Sequence, residues 1–343
     1  MPTVVIAPDS FKGTLGAARV AAAMAAGWRR VRPDDTLLQL PQADGGEGTL
    51  DALRAALPAA VRHDVRGVTG PDGRPVDAYW LALPDGTAAV ELALSSGLPL
   101  MGALDAMGAT TRGLGEVIAA ALDAGATRLL IGLGGSASTD GARGALEALG
   151  WPDALRPAPS RGVLLLSDVT APLLGPRGAA AVFGPQKGAS PTQVAELEQR
   201  LARFAAQLGG DPALPGSGAA GGAGFGFAAA WGASMLSGAD YVAELTGLDD
   251  ALASADALIT GEGSFDSQSL GGKVVGQQLA KAHGRTVVIA GRLSATPPDL
   301  GYSLTELAGS AEAAMADTAH WVAVAAATAA ADLLPTFSAG RTS

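Results

Sequence analysis

Acidic and lysine side chains recur in glycine turns along this chain, and their placement is that of a phosphate-handling site. The stretch Leu258–Lys273 (LITGEGSFDSQSLGGK) is the densest. A short apolar run ends at Thr260-Gly261, Glu262 and Asp266 follow among glycines and hydroxyls, and Lys273 stands where an apolar periodic segment begins. The same cargo appears in Asp9-Ser10-Phe11-Lys12-Gly13, in Asp44-Gly45-Gly46-Glu47-Gly48, in Gly134-Gly135-Ser136 with Asp140, and at Asp168. Glycine lets backbone N–H groups approach an anion, and a following helix N-terminus favours negative charge. Carboxylates in the same place repel a phosphate unless a divalent cation lies between. Acids, glycine turns and lysine together are therefore the composition of a Mg²⁺–nucleotide site. Taken singly, each has a plainer reading: an Asp after a strand caps a helix, a glycine pair makes a tight turn, and Lys12 is solvated.

Composition excludes several classes. The chain has 343 residues and no Cys, so thiolate nucleophiles, thiolate zinc sites, iron–sulfur clusters and disulfides are ruled out. That fits a cytoplasmic protein. The net charge of -10 disfavours a nucleic-acid partner. His63, His283 and His320 have no ligand spacing, so any metal is expected on carboxylates. The apolar stretches around 223–233 and 321–331 fall short of the roughly 18–20 residues a membrane span needs. The start reads as a strand and not as a signal peptide.

The elements that must position these groups alternate. Thr3–Ala7 reads as a buried strand, Thr14 as the cap of a helix to about Arg30, Thr36–Leu40 as a second strand, and Thr49–Leu57 as a helix. Strand, acid-and-glycine turn, helix is the repeat of a parallel α/β sheet. Near residue 66 the pattern changes. Pro75–Leu83 and Thr87–Leu94, joined by Pro84-Asp85-Gly86, read as a hairpin. Gly113–Ala124 is a helix, Arg128–Leu133 and Val163–Leu166 are strands, and Trp151–Gly162 is a loop. Ser190-Pro191-Thr192-Gln193 is a capping box, and Val194, Leu197, Leu201, Phe204 and Leu208 trace one helical face that Gly209 ends. The first pattern returns with Ala257–Thr260, Thr286–Ala290 and a helical Ala311–Ala331. The expected architecture is one α/β domain from residues 1–66 and 245–343, with residues 67–244 inserted as a second domain.

Standard motifs mostly fail. There is no P-loop and no nucleophile elbow. Gly216-x-Gly218-x-x-Gly221 matches a dinucleotide fingerprint, with Asp240 downstream, but Asp211–Pro215 is a poor preceding strand. An NAD-dependent dehydrogenase of a small hydroxy acid is kept as an alternative on that segment, and a non-catalytic sugar-acid binding protein as another.

The chain resembles the bacterial glycerate kinase family. The matching stretches are Ile6–Leu15 (IAPDSFKGTL), Ala43–Thr49 (ADGGEGT), Glu91–Pro99 (ELALSSGLP), Ile131–Gly141 (IGLGGSASTDG), Ser167–Gly175, Ala181–Gly188 (AVFGPQKG), Gly218–Gly224 and Thr260–Lys273, in family order. The resemblance implies a Rossmann- or flavodoxin-like parallel-sheet domain built from both termini. It also implies an inserted α/β domain with a mixed sheet, and an active site in the cleft between them. The activity it implies is ATP-dependent phosphorylation of D-glycerate with Mg²⁺, to 2-phosphoglycerate or, as the other regiochemical outcome, 3-phosphoglycerate. This chain departs from the usual family pattern at Thr139, Ala142, Arg112, Leu114 and Ser167 and is short between Gly150 and Val163, but it keeps the carboxylates and lysines.

The expected site follows. Asp44, Asp168 and Asp266 handle Mg²⁺ and phosphate. Ser10, Lys12, Gly45, Gly46, Glu47 and the turn Gly134, Gly135, Ser136 cradle the phosphates. Lys273 neutralises developing charge or holds the substrate carboxylate. One of the aspartates is the base for the acceptor hydroxyl. Glu262 is given no role beyond capping. ATP and glycerate are the expected partners, with the protein a monomer or homodimer.

Overall fold

The structure is a computed structural model that describes residues 1–271 and 274–333. Its strands are β1 (Thr3–Ile6), β2 (Thr36–Gln39), β3 (Val61–Thr69), β4 (Pro75–Ala82), β5 (Thr87–Glu91), β6 (Arg128–Gly132), β7 (Val163–Leu166), β8 (Ser234–Leu236), β9 (Ala257–Phe265), β10 (Arg285–Leu293) and β11 (Leu300–Ser303). The chain divides into two compact units. One comprises residues 1–43, 51–58 and 242–343, the other 44–50 and 59–241. No helix of the described residues is long and apolar enough to cross a membrane.

The first unit holds a five-stranded sheet in the order β11-β10-β9-β1-β2, parallel throughout. Counted along the unit, that order is 2-1-3-4-5, the flavodoxin-like doubly wound arrangement. Such sheets are covered on both faces, so their central strands read as near-continuous apolar runs. Successive residues of β1 accordingly serve different layers. Val4 and Ile6 pack with Val20, Met24 and Trp28 of helix Ala17–Arg29 and with Val322, Ala325 and Ala329 of helix Thr318–Asp332. Val5 and Ala7 pack on the other face with Leu248, Leu252 and Leu258.

The two covering helices approach through small residues. A Cβ on Gly27 would lie 2.0 Å from the Ala323 carbonyl oxygen. Gly27→Ala must therefore push the helices apart. The expected loss is about 1–3 kcal/mol, read as a lower denaturation midpoint; an unchanged midpoint would show that the helices part freely.

The second unit holds a six-stranded sheet in the order β3-β4-β5-β6-β7-β8. β3, β4 and β5 pair antiparallel and β5 to β8 pair parallel, so the sheet is mixed. The first unit boundary falls at Pro58/Ala59, ahead of the expected residue 66, because β3 pairs with β4 along its length. The return falls at Tyr241/Val242, and the Asp44–Leu50 loop also belongs to this unit.

Two further differences from the expected elements bear on the site. β9 does not stop at Thr260 but runs to Phe265, pairing Glu262 with Ala290 and Ser264 with Arg292 of β10. The glycine-rich 214–226 segment feeds helix Ala219–Trp231, whose start holds Ala220, Gly221 and Gly222 in left-handed conformation. A Cβ on Gly221 would lie 2.1 Å from the Ser138 carbonyl oxygen, so glycine there lets this helix press onto the Ser138 turn.

Candidate active site

In a doubly wound sheet the ligand crevice opens at the carboxyl ends of the strands where the order reverses. In the first unit that point lies between β1 and β9. The chain leaving β1 is held there: Asp9 N–H donates to the Gly261 carbonyl at 2.9 Å, Ser10 N–H to the Asp9 carboxylate at 2.6 Å, and the Thr14 hydroxyl to the Phe11 carbonyl at 2.8 Å. A cavity of about 690 Å³ opens at this point. It is lined by the polar and charged Asp9, Ser10, Lys12, Glu262, Ser264 and Arg292 and by the apolar Leu304, Ala311, Ala314 and Met315. That volume and that mixture of apolar and polar lining are those of a small-molecule site.

Lys12 is exposed and has no hydrogen-bond or ion-pair partner among the described residues. Glu262 is the group that sequence reasoning passed over. Its Oε1 is buried and has no hydrogen-bond partner among the described residues. Burial pushes its carboxyl above the usual range; the Ser269 hydroxyl and the Lys12 ammonium act against this, and Asp266 adds to it. Read as part of a glycine turn, Glu262 had no reason to face a ligand. As a strand residue beside β1 it lines the cavity.

Asp266 has a structural occupation. It is the N-cap of the short helix Ser267–Leu270, its Oδ1 accepting the Gln268 and Ser269 N–H groups, while the Ser269 hydroxyl accepts from the Asp266 N–H. Lys273 lies outside the described residues.

In the second unit, Asp44–Leu50 packs against the end of β6. Asp44 Oδ1 accepts the Gly46 N–H at 3.0 Å, and Gly134 N–H donates to the Gly45 carbonyl at 3.0 Å. A Cβ on Gly134 would lie 2.3 Å from Gly46 Cα, so the two glycine turns touch backbone to backbone. The buried Glu91 carboxylate fixes the loop, accepting from Gly48 N–H at 2.9 Å and Leu50 N–H at 3.1 Å. Asp168 Oδ1 accepts the Gly238 N–H at 3.1 Å, and the same glycine lies against the Asp44 carbonyl. The structure thus brings together Asp44, Asp168, Gly45, Gly46, Gly134, Gly135 and Ser136, with Glu47 exposed on the loop. Asp266 belongs to the other unit, and no group of three or more acidic or imidazole ligands capable of holding a metal occurs among the described residues. Two carboxylates flanking glycine turns still suit Mg²⁺, which keeps several waters and binds through one or two carboxylates plus substrate phosphates.

Close in sequence to the Gly134–Ser136 turn lies a buried polar network, of which sequence reasoning named Asp140 but not its partners or Lys187. The Asp140 carboxylate accepts from Thr111 N–H, the Thr111 hydroxyl, Gly144 N–H and Ala142 N–H at 2.8–3.2 Å. Burial raises its pKa and these donors oppose the rise. Lys187, only 3 % exposed, donates to the Ser138 carbonyl. Burial pushes the Lys187 ammonium from 10.5 down to about 8, the Asp140 charge acting in the opposite sense. Above pH 8 the folded protein binds fewer protons here than the unfolded chain. This group therefore costs stability below pH 8 and returns it as pH rises to 10.5. Lys187→Met is expected to remove that rise, which amounts to at most about 1.4 kcal/mol per pH unit. Denaturation midpoints of both proteins across that window check it.

The dinucleotide reading finds no support: turns, and no strand, precede Gly216–Gly221.

Comparison with known proteins agrees with this fold. The model of the glycerate kinase family matches residues 4–154 and 153–334. The chain belongs to the glycerate kinase family. It is 44% identical over 338 residues to an uncharacterized protein of Mycobacterium bovis, covering 92% of this chain and 88% of that one. It is 40% identical over 329 residues to glycerate 2-kinase of Escherichia coli K12, covering 85% of each. A solved structure from Salmonella typhimurium LT2, provisionally named glycerate kinase 2, superposes with a TM-score of 0.81 at 35% identity, covering 98% of this chain and 99% of that one. As a member of this glycerate kinase family the protein is a kinase.

Proposed function

We propose that the protein transfers the γ-phosphoryl group of ATP to a hydroxyl of D-glycerate, giving 2-phosphoglycerate. The observation that carries this reading is the 690 Å³ cavity at the β1/β9 reversal point, lined by Ser10, Lys12 and Glu262 and by the apolar Leu304, Ala314 and Met315. These apolar side chains suit a purine, and the polar groups suit the phosphates. Phosphoryl transfer needs little covalent help from protein and depends on positioning and neutralised charge.

Lys12 supplies positive charge to the transferring group. Glu262 has a raised pKa and an oxygen without a partner among the described residues, which suits it to take the acceptor hydroxyl's proton. It replaces the aspartates as the candidate base. In the second unit, Asp44 and Asp168, beside the Gly45–Gly46 and Gly134–Ser136 turns, are the residues that would hold Mg²⁺. When bound, the ion would neutralise phosphate charge.

The test is a coupled assay of ADP release with a panel of small hydroxy acids, the phosphorylated carbon being assigned by NMR. Turnover greatest with D-glycerate and a 2-phospho product is the expected result. ADP release that ignores the acid, or no release at all, would overturn the reading.

A further inference from the structure

We infer that the second unit carries a separate anion site, for a small phosphomonoester, between the Thr139–Arg143 turn and helix Pro191–Leu208. A cavity of about 390 Å³ lies there, and none of its lining residues is among those assigned to the reaction. Three guanidinium side chains line it: Arg143 from the turn, and Arg200 and Arg203 from the helix. Its floor is apolar, formed by Ala106, Leu197, Leu201 and Phe204, all buried.

One feature points to a ligand. Arg203 lines the cavity and has no hydrogen-bond or ion-pair partner among the described residues. Arg143 pairs with Glu147 at 2.8 Å, and Arg200 with Glu196 at 2.6 Å and the Met107 carbonyl at 3.1 Å. Exposed pairs of this kind contribute little, so both guanidiniums retain donors for an incoming anion.

The planar fork of Arg matches a tetrahedral dianion. The apolar floor suits a body of two or three carbons. Asp140 also lines the cavity, and Glu147 and Glu196 pair with Arg143 and Arg200, so among the described residues Arg203 is the cation left to meet an anion directly.

The site has its own reporter. The Arg143 guanidinium sits 5.8 Å from the Trp151 ring, and Trp151 packs edge-on against Phe204 at 5.4 Å. An anion that draws Arg143 inward alters this surrounding. Tryptophan fluorescence and calorimetry are followed as inorganic phosphate, and separately 2-phosphoglycerate, is added to the full chain without ATP or glycerate. Saturable binding is expected, with the dissociation constant for inorganic phosphate raised at least about tenfold in Arg143→Ala/Arg203→Ala. The same variant is expected to keep wild-type kcat/KM in anion-free buffer. Equal phosphate affinity in wild type and variant, or no saturable signal up to about 10 mM phosphate, would overturn the inference. Because binding is read without turnover, the result stands apart from the assignment of the reaction.

Discussion

Lys12→Ala is expected to lower kcat/KM by roughly 10²–10³-fold, with most of the loss in kcat. The size follows from where the ammonium stands. Lys12 lies on the cavity at the carboxyl end of β1, it is not engaged by any side chain among the described residues, and its charge is felt by Glu262 across the site. A cation held for structure would be paired; this one is available for charge that develops on a substrate. Interactions made more strongly with the transferring phosphoryl than with bound ATP appear in kcat. Lys12→Arg keeps the charge but not the compact ammonium and should recover part of the loss. Steady-state kinetics on both variants decide the matter. If Lys12→Ala stays within a factor of a few of wild type, the cavity is not the reaction site.

Asp140→Ala carries the largest expected cost to the fold, about 3–5 kcal/mol. Its carboxylate collects three backbone N–H groups and the Thr111 hydroxyl inside the second unit. Removing it leaves those donors buried with nothing to accept them, and the Thr111 hydroxyl, itself the acceptor for Ala145 N–H, loses its orientation. The Lys187 ammonium would lose its nearby negative charge as well. Asp140→Asn keeps two acceptor lone pairs on one oxygen and should cost less. Urea midpoints for the two variants test this order, and equal midpoints for Asp140→Ala and wild type would refute it.

Much of the fold was legible because burial on both faces writes itself as apolar runs. β1, β7 and the first half of β10 were placed to within a residue or two on that signal. The capping box at Ser190–Gln193 and the helix it starts were read in full, since Gln193 closes onto Ser190 as the spacing requires. β3 was missed for the opposite reason. It is an edge strand, exposed over Val61–Asp64, so it has a polar sequence such as Arg62-His63-Asp64 and no apolar run. Helix Ala219–Trp231 was hidden by glycines that serve close approach and not flexibility.

The site was partly legible. The acid-and-glycine composition marked Ser10, Lys12, Asp44 and Asp168, but composition does not distinguish a capping carboxylate from one that faces a ligand. Asp266 has the first geometry. Glu262 was discounted because β9 was taken to end at Thr260, and its ladder with β10 through Phe265 rests on a partner strand far away in sequence. Asp140 was marked only as cargo of a glycine turn and Lys187 was given no role, because burial of a charge is a tertiary fact.

The path of the chain at Asp44–Leu50 has one more consequence. These residues count with the second unit, while the segments immediately before and after them count with the first. A fragment cut to residues 59–241 would therefore lack a piece of its own interior. Gly48 and Leu50 would no longer donate to the buried Glu91 carboxylate, and the backbone that rests on Gly134 would be missing. The second unit cannot be excised as one continuous piece of gene. Recombination that exchanges it between proteins must carry residues 44–50 along, or leave the receiving chain with a hole beside the turn that corresponds to Gly134–Ser136.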